Sequence, residues 1–153
     1  MAASIAGVPV RAQRAVPEAE RGLALVCAAS RGGTIAVVAT VLIVDDCGSF
    51  RRSARLLLED DGFEVVGEAE DGRGAVEQVG LLRPAVVVLD VQLDQDDGFD
   101  VAETLATGPD PPMVVMVSTR AASSYALRLA TTPALGFIAK ADLSGERLAA
   151  ILR

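Results

Sequence analysis

The sequence predicts an α/β protein: a doubly wound, five-stranded parallel sheet with helices on both faces. Three features predict it. Five short apolar runs alternate along the chain with five stretches whose apolar residues recur at helical spacing. The strand-like runs are apolar at consecutive positions, as strands buried on both faces require. Asp-Gly pairs at 61–62, 71–72 and 97–98 punctuate the alternation.

The elements follow in order. Ile35 to Val44 is apolar and β-branched and stops at Asp45-Asp46, which predicts the first strand. In Ser49 to Asp60, Phe50, Ala54, Leu57 and Leu58 share one helical face, with Arg51, Arg52 and Arg55 on the others as a solvated surface. Phe63 to Glu68 is the second strand. Asp71-Gly72 turns into a helix carrying Ala75, Val76, Val79 and Leu82. Pro84 opens the third strand, Ala85 to Leu89, and Asp97-Gly98 leads into a short helix around Val101 to Ala106. Met113 to Val117 is the fourth strand, Ala121 to Ala130 a helix, Leu135 to Ala139 the fifth strand and Ser144 to Leu152 the last helix. Crossovers between parallel strands are right-handed, and ligands of such sheets bind beyond the carboxyl ends of the strands.

Residues 1–38 read as a flexible N-terminal extension and 39–153 as the folded domain. The first 39 residues carry four Arg against two Glu, a net of +2, while the remainder carries a net of −9. The first eight residues lack a cationic side chain and the apolar run Leu23 to Ala29 is short, so the segment does not read as a signal peptide. No apolar run reaches the ~20 residues of a membrane span. The net charge of −7 argues against nonspecific nucleic-acid binding. Two cysteines and no histidine exclude a disulfide framework and a Cys/His metal cluster, and a reduced, cytoplasmic setting is expected. Cys47, beside the acidic pair, is expected to be unreactive, because carboxylates raise a thiol pKa. The cations are thirteen Arg and a single Lys, Lys140. The bias toward Arg is open to a codon-usage reading, and to one in which a compact ammonium at one position meets a need that the broad guanidinium does not.

Chemistry concentrates at the strand ends. The first strand ends in Asp45-Asp46, the third in Asp90, the fourth in Ser118-Thr119 and the fifth in Lys140. Each polar group directly follows its apolar strand, so all project at one edge of the sheet. Three clustered carboxylates repel one another and need compensation. A hard divalent cation such as Mg²⁺ provides it through oxygen ligands. One carboxylate can then act as nucleophile toward a phosphoryl group, with an ammonium and a hydroxyl binding the remaining phosphoryl oxygens.

These residues, with Phe137, resemble the signature of the receiver domain of bacterial two-component response regulators. VLIVDD, LRPAVVVLDV, Asp97-Gly98 and GFIAK stand in the order and spacing of that family over residues 40 to 153. The resemblance implies a flavodoxin-like strand order of 2-1-3-4-5 and Asp90 as phosphoacceptor. It implies Asp45, Asp46, Asp90 and the backbone carbonyl of Gln92 as Mg²⁺ ligands. Ser118 resembles the switch hydroxyl, Lys140 the lysine that pairs with the phosphoryl group, and Phe137 the aromatic rotamer switch. The implied donor is a histidine kinase or histidine phosphotransfer protein, and the output is altered binding of a downstream protein through the face of the fourth helix, fifth strand and fifth helix. Homodimerisation on phosphorylation is a further implication. No output domain is expected after the last helix, so direct DNA binding is not expected, and activity is limited to self-catalysed phosphoryl acceptance and autodephosphorylation.

Other readings stand beside this one. Asp45-Asp46 by itself suits a helix cap, Asp90 a strand terminus, Ser118 a strand-end hydroxyl, Lys140 a surface cation and Phe137 core packing. The chain also fits a phosphorylation-independent scaffold of receiver fold, or a small phosphatase with an aspartyl nucleophile, although Gln92 stands where such enzymes usually carry a second acid. Asp97 and Asp100 suit a turn and a first helical turn. Asp94 and Asp96 depart from the family pattern, as Thr119 and Ala141 do, and receive no role.

Overall fold

Successive side chains of a strand point to opposite faces, so a strand apolar at every position needs cover on both. The computed structural model describes residues 26–29 and 35–153, and it meets that demand with two layers of helices around one sheet. The described chain runs β1 (Val26–Ala29), β2 (Ile35–Val38), β3 (Thr40–Val44), α1 (Gly48–Asp60), β4 (Glu64–Ala69), α2 (Gly72–Leu82), β5 (Val86–Asp90), α3 (Gly98–Ala106), β6 (Met113–Ser118), α4 (Ala126–Thr131), β7 (Gly136–Ala139) and α5 (Gly145–Leu152). Short 3-10 turns occupy Ala122–Tyr125 and Lys140–Asp142.

The main sheet has five parallel strands in the order β4-β3-β5-β6-β7, the predicted 2-1-3-4-5 pattern. Alternation along the strands divides the core in two. Val41, Ile43, Val86, Val88, Val115, Val117 and Ile138 face Ala54 and Leu58 of α1 and Leu148 of α5. Leu42, Val44, Val87, Leu89, Val114 and Met116 face Ala75 of α2 and Phe99, Ala102 and Leu105 of α3. Among the described residues no helix is long and apolar enough to cross a membrane.

Three local expectations are corrected. The run Ile35 to Val44 is not one strand. Ile35–Val38 pairs antiparallel with Val26–Ala29 in a separate two-stranded sheet, and the parallel sheet begins at Thr40. Thr40 is buried, and its Oγ1 accepts the Ala85 N–H at 2.9 Å, a bond that sets where β3 enters the sheet. Apart from these two strands, the expected flexible extension, residues 1–38, lies outside the described residues. Ala121 to Ala130 is not one helix but a 3-10 turn followed by six α-helical residues, none of them buried. With only Tyr125 and Leu129 packed against the core, the segment has little of the tertiary support that sustains most protein helices. Finally, Arg51 and Arg55 do not simply face solvent. Their Nε atoms hold the two oxygens of Glu68 on β4 at 3.2 and 3.0 Å.

Candidate functional site

The parallel arrangement brings the carboxyl ends of β3, β5, β6 and β7 to one edge. Asp45 follows β3, Asp90 ends β5, Ser118 ends β6 and Lys140 follows β7. Asp45, Asp90 and Ser118 are buried, Lys140 is half-buried and Asp46 is exposed. A cleft of about 250 Å³ at this edge is lined by Asp46, Asp90, Gln92, Ser118, Tyr125 and Lys140.

Oxygens of Asp45, Asp46 and Asp90 lie within 4.8 Å of one another. The Lys140 ammonium sits between two of these acids, 2.5 Å from Asp45 Oδ2 and 3.1 Å from Asp90 Oδ2. It also lies 4.4 Å from the centre of the Phe50 ring, a cation–π contact on its apolar side. Asp90 Oδ1 accepts the Gln92 N–H at 3.2 Å, so the carboxylate is held at both oxygens. Asp45 Oδ1 accepts the Cys47 N–H at 2.8 Å, as a helix-start carboxylate should, while its buried Oδ2 has no aligned hydrogen-bond donor. The contact of that oxygen with Lys140 is thus one of charge, not a formed hydrogen bond.

Charge decides what the cluster can hold. Three carboxylates against one ammonium leave a net of two negative charges, which a divalent cation balances. The net charge and the closeness of the three carboxylates fit Mg²⁺, with Asp45, Asp46 and Asp90 as the carboxylates that would hold it. Burial, and then the Asp45 charge, push the Asp90 carboxyl above its ordinary pKa, while Lys140 pulls against them. Burial disfavours the Lys140 ammonium, but its close contacts with the Asp45 and Asp90 carboxylates outweigh it and raise its pKa.

The remaining sequence candidates fall into place around this centre. Gln92 follows Asp90 and bridges to Asp97, closing the loop after β5. Gly98 shows why that loop needs glycine: a Cβ there would lie 2.1 Å from the Asp90 carbonyl oxygen. Phe137 is half-buried on the α3 side of the sheet, its ring 6.1 Å from that of Tyr125. Asp97 caps α3 by accepting the Phe99 N–H at 2.9 Å, and its other oxygen takes Arg128 at 2.6 Å. Asp96, without a role in the sequence, accepts the Gly72 N–H at 2.8 Å at the start of α2. Asp94 is exposed.

Cys47 differs from expectation. It is exposed at the start of α1, and its hydrogen bond to Ser49 lowers the thiol pKa despite the neighbouring Asp45. Tyr125 was not visible as a site residue. Its hydroxyl lies 3.1 Å from Ser118 Oγ, and its ring meets those of Phe99 and Phe137. The available signal was that the chain has one tyrosine, seven residues after Ser118.

Comparisons with known proteins agree with this geometry. The family model described as response regulator receiver domain matches residues 41–153. A protein-glutamate methylesterase/protein-glutamine glutaminase of Alkalilimnicola ehrlichii is 40% identical over 109 residues, which are 69% of this chain and 28% of that protein. The transcriptional regulatory protein PdtaR of Mycobacterium tuberculosis is 39% identical over 83 residues, 54% of this chain and 40% of that protein. The chain thus spans less than half the length of either relative. Among solved structures, the signal receiver domain of the putative response regulator NarL from Mycobacterium tuberculosis superposes with a TM-score of 0.66 at 26% identity, covering 74% of this chain and 96% of that one. The response regulator domain of Thermotoga maritima CheB gives 0.65 at 26% identity, covering 74% and 93%.

Proposed function

The chain belongs to the response regulator receiver domain family, and on that premise we propose that Asp90 accepts a phosphoryl group in a two-component relay. The donor is the phosphohistidine of a histidine kinase or phosphotransfer protein. An Asp90 carboxylate oxygen forms the new bond to phosphorus, the phosphorus–nitrogen bond breaks, and the histidine leaves with the electron pair. Water later cleaves the acyl phosphate and regenerates Asp90.

The observation that carries this reading is that Asp90 lies against both Lys140 and the Asp45-Asp46 pair in the lining of a polar cleft. Lys140, already 3.1 Å from Asp90 Oδ2, is placed to exchange that contact for a phosphoryl oxygen. Bound at Asp45, Asp46, Asp90 and the Gln92 carbonyl, Mg²⁺ would neutralise charge on the transferring group. Ser118 lines the same cleft and supplies a hydroxyl for a further phosphoryl oxygen. A doubly charged group at Asp90 then biases the segment that follows Ser118, together with Phe137, and changes what partner that face binds. The methylesterase and transcriptional activities named for the relatives belong to those longer proteins.

Incubation with acetyl phosphate and Mg²⁺, read by intact mass, tests the proposal. A phosphoryl adduct is expected for the native chain and none for Asp90→Asn. No adduct with any donor points to a phosphorylation-independent scaffold, and an adduct retained by Asp90→Asn removes Asp90 as the acceptor.

A further inference from the structure

Ser118 is 4% exposed, so its hydroxyl depends on protein partners rather than water. Serine oxygen offers one donor and two lone pairs. Ser118 Oγ accepts the Arg120 N–H at 3.1 Å and shares a second hydrogen bond, also 3.1 Å, with the Tyr125 hydroxyl. Both partners lie in the stretch after β6. The Asp90 oxygens are engaged with Gln92 N–H and Lys140 instead. Two groups that line one cleft are thus tied to opposite walls.

Tyr125 is placed to transmit a change at Ser118. It stands at the joint between the 3-10 turn and α4, and its ring packs between Phe99 of α3 and Phe137 of β7, with centroids 6.0 and 6.1 Å away. Neither the turn nor α4 contains a buried residue, so few contacts hold the segment besides this ring, the half-buried Leu129 and Arg128, which pairs with Asp97 and lies 4.4 Å over the Phe99 ring.

We propose that Tyr125 is a positioning residue whose hydroxyl latches Ser118 to the α4 wall, so that Ser118 reaches a phosphoryl group on Asp90 only by releasing Tyr125. The inference rests on Asp90 as acceptor and adds the group that must yield. A buried hydroxyl does not give up a partner without replacement. When Ser118 turns to the phosphoryl oxygen, the Tyr125 hydroxyl loses its partner, and the ring and α4 rearrange together. The latch therefore opposes phosphorylation, and removing it while keeping the ring favours the phosphorylated state.

The chain has one tyrosine and no tryptophan, so its intrinsic emission reports Tyr125 alone. Beryllofluoride with Mg²⁺, a phosphoryl mimic, is titrated into the native chain, Tyr125→Phe, Ser118→Ala and the double variant. Native emission is expected to change on binding, and Ser118→Ala is expected to show the changed emission before any mimic is added. By calorimetry, Tyr125→Phe is expected to bind the mimic about three- to tenfold more tightly, the range of one hydrogen bond. The same substitution in the Ser118→Ala background is expected to bring no gain, which a purely packing role for Tyr125 would not produce. Native binding with equal or weaker binding by Tyr125→Phe, or with native emission unmoved, overturns the latch alone. Failure of the native chain to bind the mimic overturns the acceptor reading and the latch with it.

Discussion

The wall of the cleft that carries Asp90 is locked through backbone atoms, whereas the wall that follows Ser118 is held by side-chain tips. On the first, the Gly98 N–H donates to the Val91 carbonyl at 2.7 Å, and the Asp90 carbonyl lies where a Gly98 Cβ would stand. Asp96 ties the same loop to the start of α2. On the second, residues 119–131 place nothing in the core; a phenol, a guanidinium and one half-buried leucine attach them. The wall that carries the proposed acceptor is built from contacts that cannot adjust. The segment proposed to respond is built from contacts that can be exchanged singly.

Each wall can be disturbed separately, and the expected effects descend in order. Gly98→Ala forces a methyl group against backbone that has no rotamer to escape into, and we expect a loss of about 3 kcal/mol or more in denaturant unfolding. Little change in the unfolding midpoint would show that the acceptor wall is as yielding as the other. Asp96→Ala removes one cap of α2 and is expected to cost about 1 kcal/mol, while Asp94→Ala, at an exposed position, stays within about 0.5 kcal/mol. Equal costs for the two would mean that the Gly72 contact adds nothing.

Arg128→Ala is the smallest. The global midpoint is expected to stay in place while amide exchange in residues 126–131 quickens, because Arg128, largely exposed, ties α4 to α3 only through Asp97 and the face of the Phe99 ring. The pH dependence follows from Asp97. Partial burial raises its pKa, but Arg128 and the Phe99 N–H outweigh that, and the net shift is downward. A carboxyl lowered in the folded state contributes above its unfolded pKa, and the contribution disappears as pH falls through the folded value. Exchange in α4 of the native chain should therefore approach that of Arg128→Ala below the ordinary carboxylate range, and nowhere near neutrality.

What the sequence disclosed was whatever depends on position along a single strand. Asp45, Asp90, Ser118 and Lys140 could be placed at one edge because each directly follows an apolar run, and parallel strands of a doubly wound sheet end on the same side. The alternation of strand and helix was legible for the same reason. Contacts between distant segments were not. Asp96 meets Gly72 across 24 residues, and nothing local in either stretch marks the pair. The break at Ala39 was hidden because Ile35 to Val44 is apolar throughout but for Thr40, whose partner is 45 residues away. Tyr125 escaped notice because its value lies in three neighbours from three different elements. The Cys47 expectation erred by weighing charge alone, when the hydrogen bond shared with Ser49 was the larger influence.

The strand order has a kinetic consequence. Parallel neighbours cannot be joined by a tight turn, so each pairing closes a long loop before any ladder bond is gained. Thr40 finds Ala85 across 45 residues and Lys140 finds Asp90 across 50. No fragment that stops short of β7 can possess both the acidic cluster and its ammonium. The Lys140–Asp90 contact therefore needs the chain folded through β7, and a nascent or partly unfolded chain carries the aspartates without the ammonium that meets them.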